Sequence, residues 1–113
     1  MTRFEAGDIV RVPFPHVETN QRCFRPALVV TREPVGADGA LIWAVMITSA
    51  ERAPWPGDIA ILEHRAAGLP IPSIIRTAKL ATLEAPAAER IGKLPAAELA
   101  CVQMQLVANL GAS

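Results

Sequence analysis

Five side chains that could bind an anion stand at the ends of apolar segments or within them: Arg25, Thr48, Ser49, Arg76 and Lys79. Arg25 comes directly before the apolar run PALVV, and the two hydroxyls end the run ALIWAVMITS. Guanidinium and ammonium groups stay charged and pair with carboxylates or phosphates, while hydroxyls add hydrogen bonds to the same anion. If these segments are neighbouring strands, their ends converge on one concave face. Such a face suits a phosphodiester.

Three of these residues also have a structural interpretation that gives them no part in chemistry. Arg25 could be an arginine at a strand start that pairs with Glu18 or Asp8. The hydroxyls of Thr48 and Ser49 could bond to backbone groups of the following turn, as hydroxyls at strand ends commonly do. We favour the anion role for Arg25, whereas the two hydroxyls on their own indicate little.

The neighbouring residues leave further alternatives open. Arg22 adjoins Arg25 and would add to phosphate binding. Arg76 and Lys79 could contact the same anion or project from the solvent face of their strand. Trp55 lies in APWPG, where prolines stiffen a loop, so its ring could stack on a base or pack into the core.

Hydrophobic spacing indicates a series of short strands. The pattern predicts strands over residues 8–14, 26–33, 40–49 and 58–64, with one or two more over residues 73–84. The polar residues 15–24 read as a surface loop. The continuous apolar character of residues 40–49 favours a strand buried on both faces, with Trp43 in the core. We therefore expect a sheet of five or six strands.

The pattern changes to helical spacing after Pro86. Leu99, Val102, Leu106 and Leu110 recur every three or four residues, which predicts an amphipathic helix over residues 96–110. Short strands followed by one helix are typical of a mainly β fold, and we expect a small, strongly curved barrel closed by the helix. The 113 residues predict a single domain, with the barrel over about 7–84 and a C-terminal helical segment over about 86–110.

Composition limits the classes of function. Eleven basic residues balance eleven acidic ones, so any binding of a polyanion must come from a local group of arginines. The two cysteines and two histidines show no metal-ligand spacing, and we expect no metal or other cofactor. No segment approaches the about 20 apolar residues that span a bilayer, so we expect a soluble cytoplasmic protein without a membrane partner.

Five segments together resemble the MazF/PemK family of toxin ribonucleases from bacterial type II toxin-antitoxin pairs. They are, in order, GDIVRVPFP, RPALVV, ITS, GLPIPSIIRTAKLATLE and IGKLP, with the helix behind them. The resemblance covers residue 7 to about residue 110. It implies an SH3-like small barrel that forms a homodimer and cuts single-stranded RNA without metal, as an mRNA interferase. It also implies a cognate antitoxin, whose tail we expect to be acidic and apolar.

The resemblance implies roles for individual residues. Arg25 and Thr48 would be the catalytic pair, with the 2′-hydroxyl of the RNA as the nucleophile. The residues that we expect to bind RNA around them are Arg22, Ser49, Trp55, Arg76 and Lys79.

The chain departs from the family pattern at two places. Some members carry an acidic residue where this chain has Ala78, and its first loop, HVETNQRCF, lacks a motif that many members have. Proton transfer then falls to Arg25, to water, or less readily to His16 or Glu18. A catalytically weak or inactive barrel that acts by binding protein, like the toxins that poison DNA gyrase, is therefore an alternative. A general interaction module without a toxin role is the third reading.

Overall fold

The computed structural model describes residues 3–16 and 21–111, with side chains for 3–13 and 24–111. Within these residues the chain forms six strands and one α-helix. The strands are β1 (Asp8–His16), β2 (Gln21–Val29), β3 (Leu41–Ser49), β4 (Asp58–Ala60), β5 (Ser73–Glu84) and β6 (Glu89–Lys93). The helix α1 spans Ala96–Asn109, and short 3-10 turns lie at Ala37–Gly39 and Ala85–Ala87.

The strands form one antiparallel sheet in the order β4-β5-β3-β2-β1-β6. The predicted fold class, a mainly β protein with six strands and a C-terminal helix, is confirmed. The predicted closure of a barrel is wrong, because β4 and β6 are the two edges of an open sheet. The pairing register shifts in the β1–β6 and β3–β5 ladders, where β6 and β5 carry extra residues, and such irregularities bend a sheet.

Two predicted boundaries are corrected by the pairing of β1. The polar stretch 15–24 is not all loop, because β1 and β2 continue as a ladder to His16 and Gln21. Residues 89–93, predicted to be part of a helical segment, form β6 instead and pair with the other side of β1. Both errors have one cause: pairing with a partner strand overrides local polarity and composition.

Helix α1 agrees with the predicted helix to within one residue at its end. Val102 is fully buried, and Leu99 and Leu106 pack against the core beneath the helix. Leu110, the last residue of the predicted apolar stripe, is 79% exposed because the helix ends at Asn109. Among the described residues, no helix is both long and apolar enough to cross a membrane.

Two apolar clusters form the core. One contains Leu28, Val45 and Ile75 with Val102 of the helix, and the other contains residues such as Ala44. The prediction that Trp43 lies in the core is wrong, since its side chain is 45% exposed. Strand alternation explains the error, because the flanking residues Ile42 and Ala44 turn toward the second cluster and Trp43 turns away from it.

Candidate functional site

Two adjoining cavities lie at the ends of β2 and β3. The larger, about 850 Å³, contains Trp55 and is called the tryptophan cavity here. The smaller, about 480 Å³, contains Phe24 and is called the phenylalanine cavity. Both volumes fall within the range of about 300–1,000 Å³ that is usual for ligand sites. Four residues line both cavities and therefore lie between them: Arg25, Ile47, Thr48 and Arg52.

The β2–β3 register brings the predicted catalytic pair together. The ladder between β2 and β3 begins with Val29 opposite Ala44 and ends with Ala27 opposite Met46. It ends there beside Pro26, which has no N–H to donate. Continued by two residues, the same register places Arg25 across from Thr48. Arg25 is exposed and Thr48 is half-buried, and both line the two cavities. A charged donor and a hydroxyl thus share one surface, as predicted.

The described residues do not support the alternative in which Arg25 is a structural arginine that pairs with a carboxylate. Asp8, one of its two candidate partners, instead pairs with Arg90 at 2.8 Å and accepts a hydrogen bond from the backbone N–H of Glu5. No carboxylate among the described residues forms an ion pair with Arg25. The other candidate partner, Glu18, lies outside the described residues.

A bulge in β5 places Arg76, Ala78 and Lys79 in the lining of the tryptophan cavity. Val45 pairs with Leu80, whereas the next residue of β3, Met46, pairs with Arg76, so three residues of β5 have no partner on β3. Such an insertion bends the strand and redirects its side chains. Ala78 and Lys79 consequently line the cavity, together with Arg76.

Arg76 is held in place by its own protein contacts. Its side chain is 9% exposed, and the guanidinium donates to both carboxylate oxygens of Asp58, at 3.2 and 3.0 Å. It also donates to the carbonyl oxygen of Ala53 at 2.8 Å and lies 4.2 Å from the centre of the Trp55 ring. The alternative in which Arg76 projects from a solvent face is therefore wrong. Its role in RNA binding stays a prediction.

These contacts fix the loop between β3 and β4, residues 50–57. Asp58 also accepts a hydrogen bond from the backbone N–H of Trp55 at 2.8 Å, and the hydroxyl of the buried Thr77 donates to the carbonyl of Gly57 at 2.8 Å. We call Arg76, Asp58 and Thr77 the loop clamp. The clamp holds Trp55 beside the cavity with its side chain 43% exposed, so the ring is neither core nor fully solvated.

Within the loop clamp, the contacts of Asp58 lower the pKa of its carboxyl group. The hydrogen bonds from Arg76 lower the pKa of the Asp58 carboxyl below its usual 3.8, with help from the Trp55 N–H and from the positive charge of Arg76, while burial opposes the shift. Asp58 is therefore ionised at neutral pH and neutralises Arg76. As a result, Arg76 contributes little net charge to the cavity.

The hydroxyl of Ser49 is already used by the turn after β3. It accepts a hydrogen bond from the backbone N–H of Glu51 at 3.2 Å, and the carbonyl of Ser49 accepts one from the backbone N–H of Arg52 at 3.1 Å. This is the structural role considered for it above, although Ser49 also lines the phenylalanine cavity. The same turn carries Arg52 to the boundary between the cavities.

Sequence reasoning missed Arg52 and Asp58. Arg52 is exposed and lines both cavities, as Arg25 does. A cation three residues after the predicted third strand was a usable signal for it. Asp58 could not be found in this way, because its partner Arg76 lies 18 residues further along the chain and the two meet only through the β4–β5 pairing.

The cavities are locally cationic although the chain is neutral overall. Arg25, Arg52 and Lys79 line the tryptophan cavity, and none of its described lining residues is acidic. Lys79 is exposed, with its ammonium 5.8 Å from the centre of the Trp55 ring. The local group of cations that a neutral chain needs for binding a polyanion is therefore present.

Some predicted residues cannot be placed. The side chains of Arg22 and His16 and the whole of Glu18 lie outside the described residues. Ala78 lines the tryptophan cavity and supplies no proton-transfer group to it. Within the described residues, no group of three or more His, Cys, Asp or Glu side chains could hold a metal ion.

Solved structures share this fold over almost the whole chain. A chain of the MazE-MazF complex (Form-II) from Deinococcus radiodurans matches with a TM-score of 0.77 and 26% identity, covering 100% of both chains. An endoribonuclease in complex with its cognate antitoxin from Mycobacterial species matches with a TM-score of 0.73 and 18% identity, covering 96% of each chain. The Mycobacterium tuberculosis toxin MazF-mt6 gives 0.71 and 19%, covering 94% of this chain and 98% of its own.

The chain thus has the fold of these MazF structures, and a family match identifies the class further. Residues 5–110 match the family described as "PemK-like, MazF-like toxin of type II toxin-antitoxin system", and the chain belongs to this family. No curated protein matches the sequence significantly. The resemblance noted from sequence motifs is confirmed, and the reading as an interaction module without a toxin role is wrong.

Proposed function

We propose that the protein is the toxin of a type II toxin-antitoxin pair that acts as a metal-independent endoribonuclease on single-stranded RNA. The observation that carries this proposal is the convergence of Arg25 and Thr48 on the boundary of two cation-lined cavities. Its family and the endoribonucleases among the similar structures support it.

RNA carries its own nucleophile, so this mechanism asks little chemistry of the protein. The 2′-hydroxyl gives up its proton to water as its oxygen attacks the adjacent phosphorus, the bond to the 5′-oxygen breaks, and the leaving oxygen takes up a proton. Arg25 binds the phosphate oxygens and stabilises the charge that develops on the phosphorane, and Thr48 positions one oxygen by a hydrogen bond. The products are a 2′,3′-cyclic phosphate and a 5′-hydroxyl end.

Proton transfer is assigned to Arg25 and water. Ala78 offers no acid or base, and the guanidinium of Arg76 is occupied by Asp58 and Ala53. Arg76 therefore serves RNA binding mainly by holding Trp55, whereas the exposed Arg52 and Lys79 are available to phosphates.

The proposed partners are a second copy of the chain and an antitoxin. An antitoxin tail with carboxylates and apolar side chains fits the cationic, partly apolar cavities by charge complementarity. The similar structures include toxins in complex with their antitoxins, which supports this assignment. We place the protein in the cytoplasm, where its RNA substrate occurs.

The decisive experiment is cleavage in the absence of divalent metal. Purified protein is incubated with a long single-stranded RNA in EDTA, and the cut sites are mapped by primer extension. We expect discrete cuts with 5′-hydroxyl ends, and no cuts when purified antitoxin is added first.

Intact RNA in this experiment would overturn the nuclease assignment. The family membership would then favour the alternative noted from the sequence, a toxin that acts by binding a protein. The position of Ala78 is the observation that favours this alternative.

A further inference from the structure

We propose that the two cavities hold the two bases on either side of the cleaved phosphodiester, one at Trp55 and the other at Phe24 and Ile71. This inference rests on the proposed nuclease function. It adds two separate base-binding sites, on opposite sides of Arg25 and Thr48.

The first support is the position of the shared residues. Arg25, Thr48 and Arg52 line both cavities, so a phosphate bound by the two guanidinium groups lies between them. The nucleosides attached to the two sides of that phosphate then extend in opposite directions. Each direction leads into one cavity.

The second support is that each cavity contains one aromatic ring, and that this ring lies against an arginine that is paired with a carboxylate. In the tryptophan cavity, Arg76 lies 4.2 Å from the ring centre of Trp55 and is paired with Asp58. In the phenylalanine cavity, Arg11 lies 4.7 Å from the ring centre of Phe24, and its Nε donates to Glu89 at 3.0 Å.

An arginine stacked on a ring restricts the orientation of the ring, and an aromatic ring held at the wall of a cavity can stack on a base. Because the nearly buried Arg76 is paired with Asp58, it does not compete with Arg25 for the phosphate.

The third support is the exposure of apolar side chains in the phenylalanine cavity. Phe24 is 58% exposed and Ile71 is 49% exposed, and Leu69 and Pro70 line the cavity next to Ile71. Such a surface beside arginines suits a planar base joined to a phosphate.

Sequencing of cleavage products tests the inference. A pool of RNA with randomised sequence is cut by the wild type and by Trp55→Ala, Phe24→Ala and Ile71→Ser, and base frequencies are counted on each side of the cut. We expect Trp55→Ala to flatten the base preference on one side only, and the other two variants to flatten it on the opposite side. Cleavage at the preferred sequence should fall by about tenfold in each, the loss typical of one stacking contact.

Leu62→Ala is the matched control, because Leu62 is 76% exposed and lines neither cavity. It should cut like the wild type. Circular dichroism and thermal melting confirm that every variant is folded.

Three results would overturn the inference, and they are distinguishable. A wild type that leaves the pool intact removes the nuclease function and this inference with it. A wild type that cuts, with Trp55→Ala and Phe24→Ala altering the same side or neither side, removes the inference alone. If Phe24→Ala cuts like the wild type but no longer copurifies with the antitoxin, the phenylalanine cavity is a protein-binding surface instead.

Discussion

At the scale of single residues, Arg25 carries the main prediction, because we propose that it binds the scissile phosphate. Because it is exposed and has no carboxylate partner among the described residues, replacing it removes no core volume and breaks no ion pair there. We expect Arg25→Ala to cut RNA about 100-fold more slowly, the usual loss of one donor at a developing charge, with an unchanged melting temperature.

Two further variants should lose less cleavage activity than Arg25→Ala. Arg25→Lys should recover part of the rate, since an ammonium keeps the charge without the planar fork. Thr48→Val should give a smaller loss than Arg25→Ala. Single-turnover cleavage of one RNA measures all three. An Arg25→Ala protein that cuts normally but melts several degrees lower would show that the arginine only caps its strand.

Asp58 carries the clearest prediction for stability. Asp58→Asn leaves the nearly buried guanidinium of Arg76 without its counter-charge, and we expect the free energy of unfolding at neutral pH to fall by about 2–3 kcal/mol. Glu89→Gln is the control, because the Arg11–Glu89 pair is 47% and 64% exposed and should contribute under about 1 kcal/mol. Urea unfolding measures both.

The lowered pKa of Asp58 also gives this contribution a pH dependence. A carboxyl with a lowered pKa in the folded state stabilises the fold above its unfolded pKa of 3.8, and the contribution is lost as the pH falls below that value. The wild type should therefore lose stability more steeply below pH 3.8 than Asp58→Asn. Parallel curves in urea unfolding from pH 6 to pH 3 would contradict the ion pair.

At the scale of elements, a contact between backbones joins the loop after β4 to β6. A Cβ on Gly92 would overlap the carbonyl oxygen of Ala67, and one on Gly68 would overlap the carbonyl oxygen of Ile91. The loop thus packs directly against β6. A side chain here requires the backbone to move.

Gly92→Ala should therefore destabilise the protein strongly. We expect a loss of about 3 kcal/mol, at the upper end for overpacking, because backbone atoms cannot rotate out of the way. Gly111→Ala is the control: its φ of 80° is strained for alanine, but no atom lies within 4 Å of the new Cβ. Thermal melting compares them. Equal losses in the two variants would mean that the backbone contact contributes nothing.

The sequence predicts these elements unevenly, for physical reasons. The helix and the end of β3 follow from local periodicity. The juxtaposition of Arg25 and Thr48 does not, because it depends on the β2–β3 register, and from the sequence it was implied only by the family resemblance. β6 could not be predicted, because five residues, ERIGK, carry no alternation and form a strand only through their pairing with β1. The loop clamp was likewise hidden, since its partners meet only through the β4–β5 register.

At the scale of the whole molecule, the open sheet and the exposed Trp43 favour a partner. We expect a homodimer, because symmetric pairing covers exposed apolar surface and sheet edges. Light scattering at tens of micromolar measures the mass. A monomer mass at that concentration would contradict the prediction.

Growth of cells that express the protein tests the toxin role in vivo. Expression alone should stop growth, and co-expression with the antitoxin should restore it. The Arg25→Ala variant is the control and should be harmless at the same protein level. Normal growth with visible wild-type protein would contradict a toxic activity.

The position of β6 has a consequence for how the chain folds. β6 is the last strand in sequence but pairs with the first, so residues about 80 apart must meet before the sheet is complete. Pairings of such long range are slow to form. Ile91 of β6 also forms part of the wall of the phenylalanine cavity. A nascent chain therefore lacks part of this cavity until β6 has left the ribosome and paired with β1.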